Sequence, residues 1–246
     1  MKRRVVATLL AVAAVALGAC GAPGPERDND GKINVYAAPS LDGVIHRLAG
    51  RFEKTHPGTH VVVTTAMPED LTEQINAGAP ADVLAATSPA TMSAVQGLQP
   101  RLFGHNKLVI AVTPDNPLKI NDLADLRTRK VALCSVPSPC GTAAADLLTK
   151  AGVTLAHPMM QASTTAAIQL LAVGDVDAAI VYKTDAIAAI GQTDSVEFPE
   201  AAATSNDVLV STVPKAPNPA GAKSFLEFLS SAESQAIFTD AGFSAP

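Results

Sequence analysis

Short apolar runs alternate along this chain with stretches whose apolar positions recur every three to four residues, which is strand followed by helix. Ile33–Ala37 reads as a strand, and Ser40 stands as N-cap before Leu41, Val44, Ile45, Leu48 and Phe52 at helical spacing. The β-branched run His60–Thr65 is a second strand, and Pro68–Ala77 is a helix stopped by Gly78. Ala81–Ala86 predicts a strand, Thr87–Gly97 a helix, and Leu108–Val112 a fully apolar strand. The pattern then restarts: strand Lys130–Leu133, helix Thr142–Lys150 before Gly152, helix Thr164–Val173 before Gly174, strand Ala178–Val181, and a helix capped by Asp185 and closed at Gly191. Asp207–Val213 is one more strand, and Pro219–Phe228 and Ala232–Asp240 are terminal helices.

Alternating βα units of this kind predict an α/β protein with mostly parallel sheets flanked by helices, and the short connections fit two sheets better than one. Ligands of such sheets bind at the carboxyl ends of the strands, where helix N-termini converge.

The N-terminal end carries a different signal. Lys2, Arg3 and Arg4 precede an unbroken small and apolar stretch, Val5–Leu17, and then Gly18, Ala19 and Cys20, the layout of an export signal. The stretch is short of the roughly 20 apolar residues that span a bilayer. Leu17-Gly18-Ala19-Cys20 resembles the bacterial lipobox, which implies removal of residues 1–19, lipidation of Cys20 and attachment to the outer face of the cell membrane. An ordinary secretory signal with a stray cysteine is the other possibility. Residues 20–32, rich in Gly, Pro, Asp and Asn, read as a solvated tether.

Hydrophobic residues make up 48% of the sequence but aromatic ones only 4%, so the core must be filled with Ala, Val, Leu and Ile. Loss of Lys2, Arg3 and Arg4 would lower the basic count from 18 to 15 against 23 acidic residues, a net charge near −8, which argues against a nucleic-acid partner. Such a chain can bind an anion only through local dipoles and hydrogen bonds. Cys134 and Cys140, six positions apart in an exported chain, read as a disulfide closing a small loop; two unpaired buried thiols are the alternative.

Three helix starts share one character: Pro39-Ser40, Pro139-Cys140-Gly141-Thr142 and Ser163-Thr164-Thr165. Each offers N–H groups without helical partners at the positive end of a helix dipole. Tyr182 follows the strand Ala178–Val181 and adds a phenol, which completes a donor-rich set without a cationic side chain. Any one of these junctions alone is an ordinary cap.

Their order, together with the strings Val35-Tyr36-Ala37-Ala38-Pro39-Ser40-Leu41, Gln74–Val83 with its Gly78-Ala79-Pro80-Ala81-Asp82, Ser138–Thr142, Ala179–Ala186 and Gly242-Phe243, resembles the molybdate-binding proteins of bacterial ABC importers. That resemblance implies the type II periplasmic-binding-protein fold, with residues 33–108 plus 208–246 forming one lobe and 109–207 the other. It implies a tetrahedral dianion, molybdate or tungstate, held in the cleft by the Ser40 hydroxyl and N–H, the Cys140 and Thr164 N–H groups and the Tyr182 phenol. It further implies a monomer that delivers its ligand to an importer permease, with no cofactor and no side-chain metal site.

One position departs from the family. A second serine ligand is expected after the strand ending at Thr65, and matching back from Gln74 puts it on Pro68, which has neither hydroxyl nor N–H. Either neighbouring groups such as the Met67 N–H replace the donor, which keeps molybdate or tungstate, or Glu69 accepts a proton from a protonated ligand, which favours a phosphate-like or organic acid ligand; sulfate is a further alternative anion. A sensor built on the same fold is a third possibility. Catalysis would need Ser40 or Cys140 as nucleophile with one of His46, His56, His60, His105 or His157 as base, and no Gly-x-Ser-x-Gly elbow supports it. The five histidines are scattered without metal-ligand spacing and are expected at the surface.

Overall fold

The computed structural model describes residues 31–136 and 138–246, so the leader, most of the tether and Cys20 lie outside the described residues. The strands are β1 (Lys32–Ala37), β2 (His60–Thr65), β3 (Val83–Ala86), β4 (Arg101–Asn106), β5 (Leu108–Val112), β6 (Lys130–Cys134), β7 (His157–Gln161), β8 (Ala178–Tyr182), β9 (Asp194–Val196) and β10 (Asn206–Thr212). The helices are α1 (Asp42–Thr55), α2 (Pro68–Asn76), α3 (Pro89–Ser93), α4 (Pro139–Lys150), α5 (Thr164–Ala172), α6 (Lys183–Ala188), α7 (Pro219–Leu229) and α8 (Ala232–Asp240).

Two five-stranded sheets result, ordered β2-β1-β3-β10-β4 and β7-β6-β8-β5-β9. In each, three neighbouring strands are parallel and the fourth, β10 or β5, runs against both of its neighbours. Both sheets are therefore mixed, with four of five strands pointing one way. The chain passes between sheets at Lys107, between β4 and β5, and returns before β10.

Each sheet is covered on both faces. On the first, one face packs Leu41, Ile45, Leu48 and Phe52 with Phe225, Leu229 and Phe238, and the other packs Leu71, Ile75 and Met92 against Leu84. On the second, Leu147 and Ala144 lie with Ile110 and Ile180, while Ile168 and Leu171 lie with Val109 and Val181. Because β1, β2 and β3 are parallel, as are β6, β7 and β8, the loops that follow them leave each sheet from one shared carboxyl end.

Several local expectations are corrected. Ser40 is not an N-cap: Pro39–Leu41 is a 3-10 turn preceded by extended Ala38, and α1 begins at Asp42, because Pro39 fixes a helical φ two residues earlier than the apolar spacing suggests. Asp185 does not cap its helix either. Tyr182 (φ −70°, ψ 147°) takes that position and Asp185 lies inside the first turn of α6. The helix expected from Thr142 starts at Pro139, with the Ser138 hydroxyl accepting from the Gly141 N–H at 3.2 Å. The helix expected over Thr87–Gly97 is the short Pro89–Ser93, capped by Ser88.

Strands β4, β7 and β9 are additional to the sequence reading. β7 contains Pro158, which is tolerated because β7 is an edge strand paired only to β6. β4 contains Gly104, where a Cβ would lie 2.4 Å from the Phe238 ring and from the Ser244 carbonyl; glycine is what lets α8 and the C-terminal segment close over the sheet.

Candidate functional site

Ser40 is exposed after β1, at the second position of the 3-10 turn. The turn uses the Leu41 N–H, which donates to the Ala38 carbonyl at 2.9 Å, and leaves the Ser40 N–H among the donors that a helix start does not consume. Ser40 lines a cavity of about 390 Å³ with Arg47, Thr184, Asp185 and Phe243, groups from both sheets.

Cys140 is the second residue of α4. The Ser138 hydroxyl and carbonyl take the Gly141 and Thr142 N–H groups, so the Cys140 N–H is one of the helix-start donors left over. The Cys134–Cys140 disulfide, with Cα atoms 5.7 Å apart, ties the end of β6 to this first turn. Gly141 packs against the β6 exit so closely that a Cβ would stand 2.4 Å from the Ser135 carbonyl oxygen. A disulfide and a glycine thereby hold this helix tip at the strand end.

The α4 tip borders a second inter-sheet cavity, of about 460 Å³, lined by Pro68, Thr87 and Ser88 from the first sheet and by Pro139, Thr142, Lys150 and Asn206. Pro68, the position where the family pattern expects a serine, thus faces the same groove as the α4 helix start. Glu69 and Asp70 beside it are exposed.

Thr164 opens α5, capped by the Ser163 hydroxyl, which accepts from the Ala166 N–H at 3.2 Å. The Thr164 hydroxyl donates to the Asp185 carboxylate, which also accepts from the Tyr182 backbone. Burial outweighs both bonds and raises the Asp185 carboxyl above its ordinary value. Tyr182 is buried, and its oxygen accepts from the Asn206 amide at 2.6 Å. Burial pushes the phenol up to about 12, against the lowering effect of the Asn206 bond and together with the Asp185 charge, so it stays a neutral donor at any physiological pH.

Hydrogen bonds therefore join Thr164, Asp185, Tyr182 and Asn206 into one cluster; Ser40 shares a cavity with Asp185, and Cys140 stands at the α4 tip beside the other cavity. Three features escaped the sequence reading. Asp185 brings a carboxyl into the group, Asn206 reaches across from β10, and cationic side chains do edge the groove, Arg47 at one cavity and Lys150 at the other. Asp185 could have been suspected from its place three residues after Tyr182, whereas Asn206 has no local signal.

None of the five histidines is buried, though two are half-buried. His56 stacks on Phe52 with ring centroids 3.9 Å apart, and half-buried His105 meets Asp207 at 2.9 Å. Among the described residues no helix is long and apolar enough to cross a membrane.

Comparison with known proteins agrees with this fold. The molybdate-binding protein ModA of Mycobacterium tuberculosis (strain H37Rv) is 32% identical over 244 residues, covering 94% of this chain and 93% of its own. Among solved structures, a substrate binding domain from Clostridium difficile superposes with a TM-score of 0.75 at 23% identity, covering 87% of this chain and 99% of its own. The periplasmic molybdate-binding protein of Azotobacter vinelandii gives 0.65 at 22% identity, with the same coverages, so the two-lobed binding-protein fold is shared. The family model for bacterial extracellular solute-binding proteins matches residues 33–244, and the chain belongs to that family.

Proposed function

We propose that this chain is a lipoprotein, anchored through Cys20 at the outer face of the cell membrane, that captures molybdate or tungstate and delivers it as a monomer to the permease of an ABC importer. The lobes follow the two sheets, hinged where β4 passes to β5 and where the chain returns to β10. The observation that supports the reading is that two cavities between the sheets are bordered by helix starts, one by Ser40 with Thr184 and Asp185 and the other by the first turn of α4 with Pro68 and Ser88, while Tyr182 of the second sheet meets Asn206 of the first. Helix-start N–H groups and a phenol stabilise a dianion without a fixed countercharge, which an acidic protein needs if it is to release its cargo. The open lobes take up the anion and close over it, and the permease recognises the closed form.

Thermal unfolding of the mature chain with molybdate, tungstate, sulfate, phosphate and small carboxylates tests this. A ligand at 100 times its Kd adds about 2.7 kcal/mol, a shift of several degrees. Molybdate and tungstate should stabilise strongly and the others weakly; no shift with either would refute the proposal. Pro68 in the groove lining favours one second reading, a different small anion such as sulfate, a phosphate-like ion or an organic acid, and the same panel reports it.

A further inference from the structure

The two crossings between the sheets carry a matched pair of asparagines. Asn106 ends β4, Asn206 begins β10, and the two are register partners in the antiparallel ladder. Each sends its side-chain amide to a hydroxyl in the short segment where β8 ends and α6 begins. Asn206 Nδ2 donates to Tyr182 Oη at 2.6 Å, and Asn106 Nδ2 donates to Thr184 Oγ1 at 3.0 Å. Asn106 is buried to 3% exposure, and among the described residues its Oδ1 has no hydrogen-bond partner, which leaves the bond to Thr184 as the one its side chain makes there.

We infer that Asn206 is a positioning residue for ligand capture: it occupies an acceptor site of the Tyr182 oxygen, turns the phenol proton toward the groove, and ties that orientation to the hinge through its pairing with Asn106. The inference rests on the proposal that Tyr182 donates to the bound oxyanion. A phenol has one proton to give. When its oxygen accepts from an amide, that proton is free for a second partner; when the amide is gone, the phenol can rotate and spend the proton elsewhere. Burial keeps water from replacing the amide cheaply, since Tyr182 is only 8% exposed. Because both amides sit on strands of the first sheet and the hydroxyls belong to the end of β8 and the start of α6 in the second, both bonds bridge the two sheets.

The sequence contains two tyrosines and no tryptophan, so protein labelled with ¹³C at tyrosine Cζ gives two resonances, and Tyr36→Phe assigns them. Asn206→Leu should move the Tyr182 resonance in the ligand-free protein and weaken molybdate binding in calorimetry by roughly 10- to 100-fold, the scale of one hydrogen bond to a charged acceptor. Tyr182→Phe should weaken it similarly, and the double variant no more than the worse single one. Asn206→Ser, too short to reach the phenol, serves if the leucine variant fails to fold. An unmoved resonance, unchanged affinity in Asn206→Leu beside a weakened Tyr182→Phe, or fully additive losses would overturn the inference and leave the oxyanion reading standing. Unchanged affinity in both single variants would overturn the role of Tyr182 and the inference with it.

Discussion

Asp82 is wholly buried at the start of β3, and its carboxylate accepts three hydrogen bonds: from the Asn34 N–H at 2.7 Å, the Asn34 side-chain amide at 3.1 Å and the Asn218 N–H at 2.6 Å. Asn218 caps α7, accepting from the Gly221 N–H at 2.8 Å. One side chain thus joins β1, β3 and the start of α7. Asp82→Ala would strand two backbone donors in the interior, and each costs about 1–3 kcal/mol when its partner is removed. The third donor, on a half-buried asparagine, finds water more cheaply. The expected loss is about 3–5 kcal/mol, which for a chain of this size lowers Tm by about 10 °C. Asp82 sits at the amino end of β3, opposite the end from which the groove loops spring, so molybdate affinity of the folded variant should stay within about twofold of the parent. Urea unfolding with a constant m-value measures the first quantity and calorimetry the second. A loss under about 1 kcal/mol, or an affinity that falls in step with stability, would refute the argument that this residue is structural.

Gly104→Ala should cost about 1–3 kcal/mol in urea unfolding, since its Cβ would lie 2.4 Å from both the Phe238 ring and the Ser244 carbonyl, and backbone cannot move aside as a flexible side chain does. Reducing the Cys134–Cys140 bridge should lower stability by about 2 kcal/mol, the loop-closure entropy of so short a loop, and the reduced protein should bind molybdate more weakly because the α4 tip is no longer tied to β6. Asp185 has a carboxyl raised by burial above 3.8, so its contribution to stability is fully present below that value and is lost as pH rises through the raised one. The gap in unfolding free energy between the parent and Asp185→Asn should therefore shift in the variant's favour as pH rises from about 4 toward neutrality; a gap that stays flat would show that the carboxyl is not desolvated.

Elements fixed by their own residues were legible in the sequence, and those fixed by distant partners were not. β5 and β8 are unbroken apolar runs and read as buried strands without help. β4 reads as nothing in particular, because Arg101, Gly104, His105 and Asn106 have no strand character of their own; the pairing with β10 and the bridge from His105 to Ser244 make it a strand. β7 was hidden by Pro158, whose missing donor matters little at an edge. The helix starts were misplaced at both Ser40 and Thr142: a 3-10 turn from Pro39 delays α1 to Asp42, and α4 starts at Pro139, three residues before Thr142. Apolar spacing marks where a helix begins to bury a face, while Pro39 and Pro139 begin the turn earlier.

The candidate site divides along the same line. Ser40, Cys140, Thr164 and Tyr182 could be named from sequence because helix tips and strand ends are local features, and an anion needs the N–H groups that such tips leave unpaired. What orients those groups is non-local. Asn206 lies 24 positions from the phenol it contacts, Asn106 lies 78 from Thr184, and Asp185 meets Thr164 only because α5 and α6 flank the same strand. The same holds for the string that most resembled the known family, Gly78-Ala79-Pro80-Ala81-Asp82. Its carboxylate works at the far end of the sheet, where it joins β1 to α7. A sequence string shared with a binding family thus marks the scaffold at Asp82, whereas the hydrogen bonds that orient the candidate donors lie in pairs of residues that sequence spacing cannot connect.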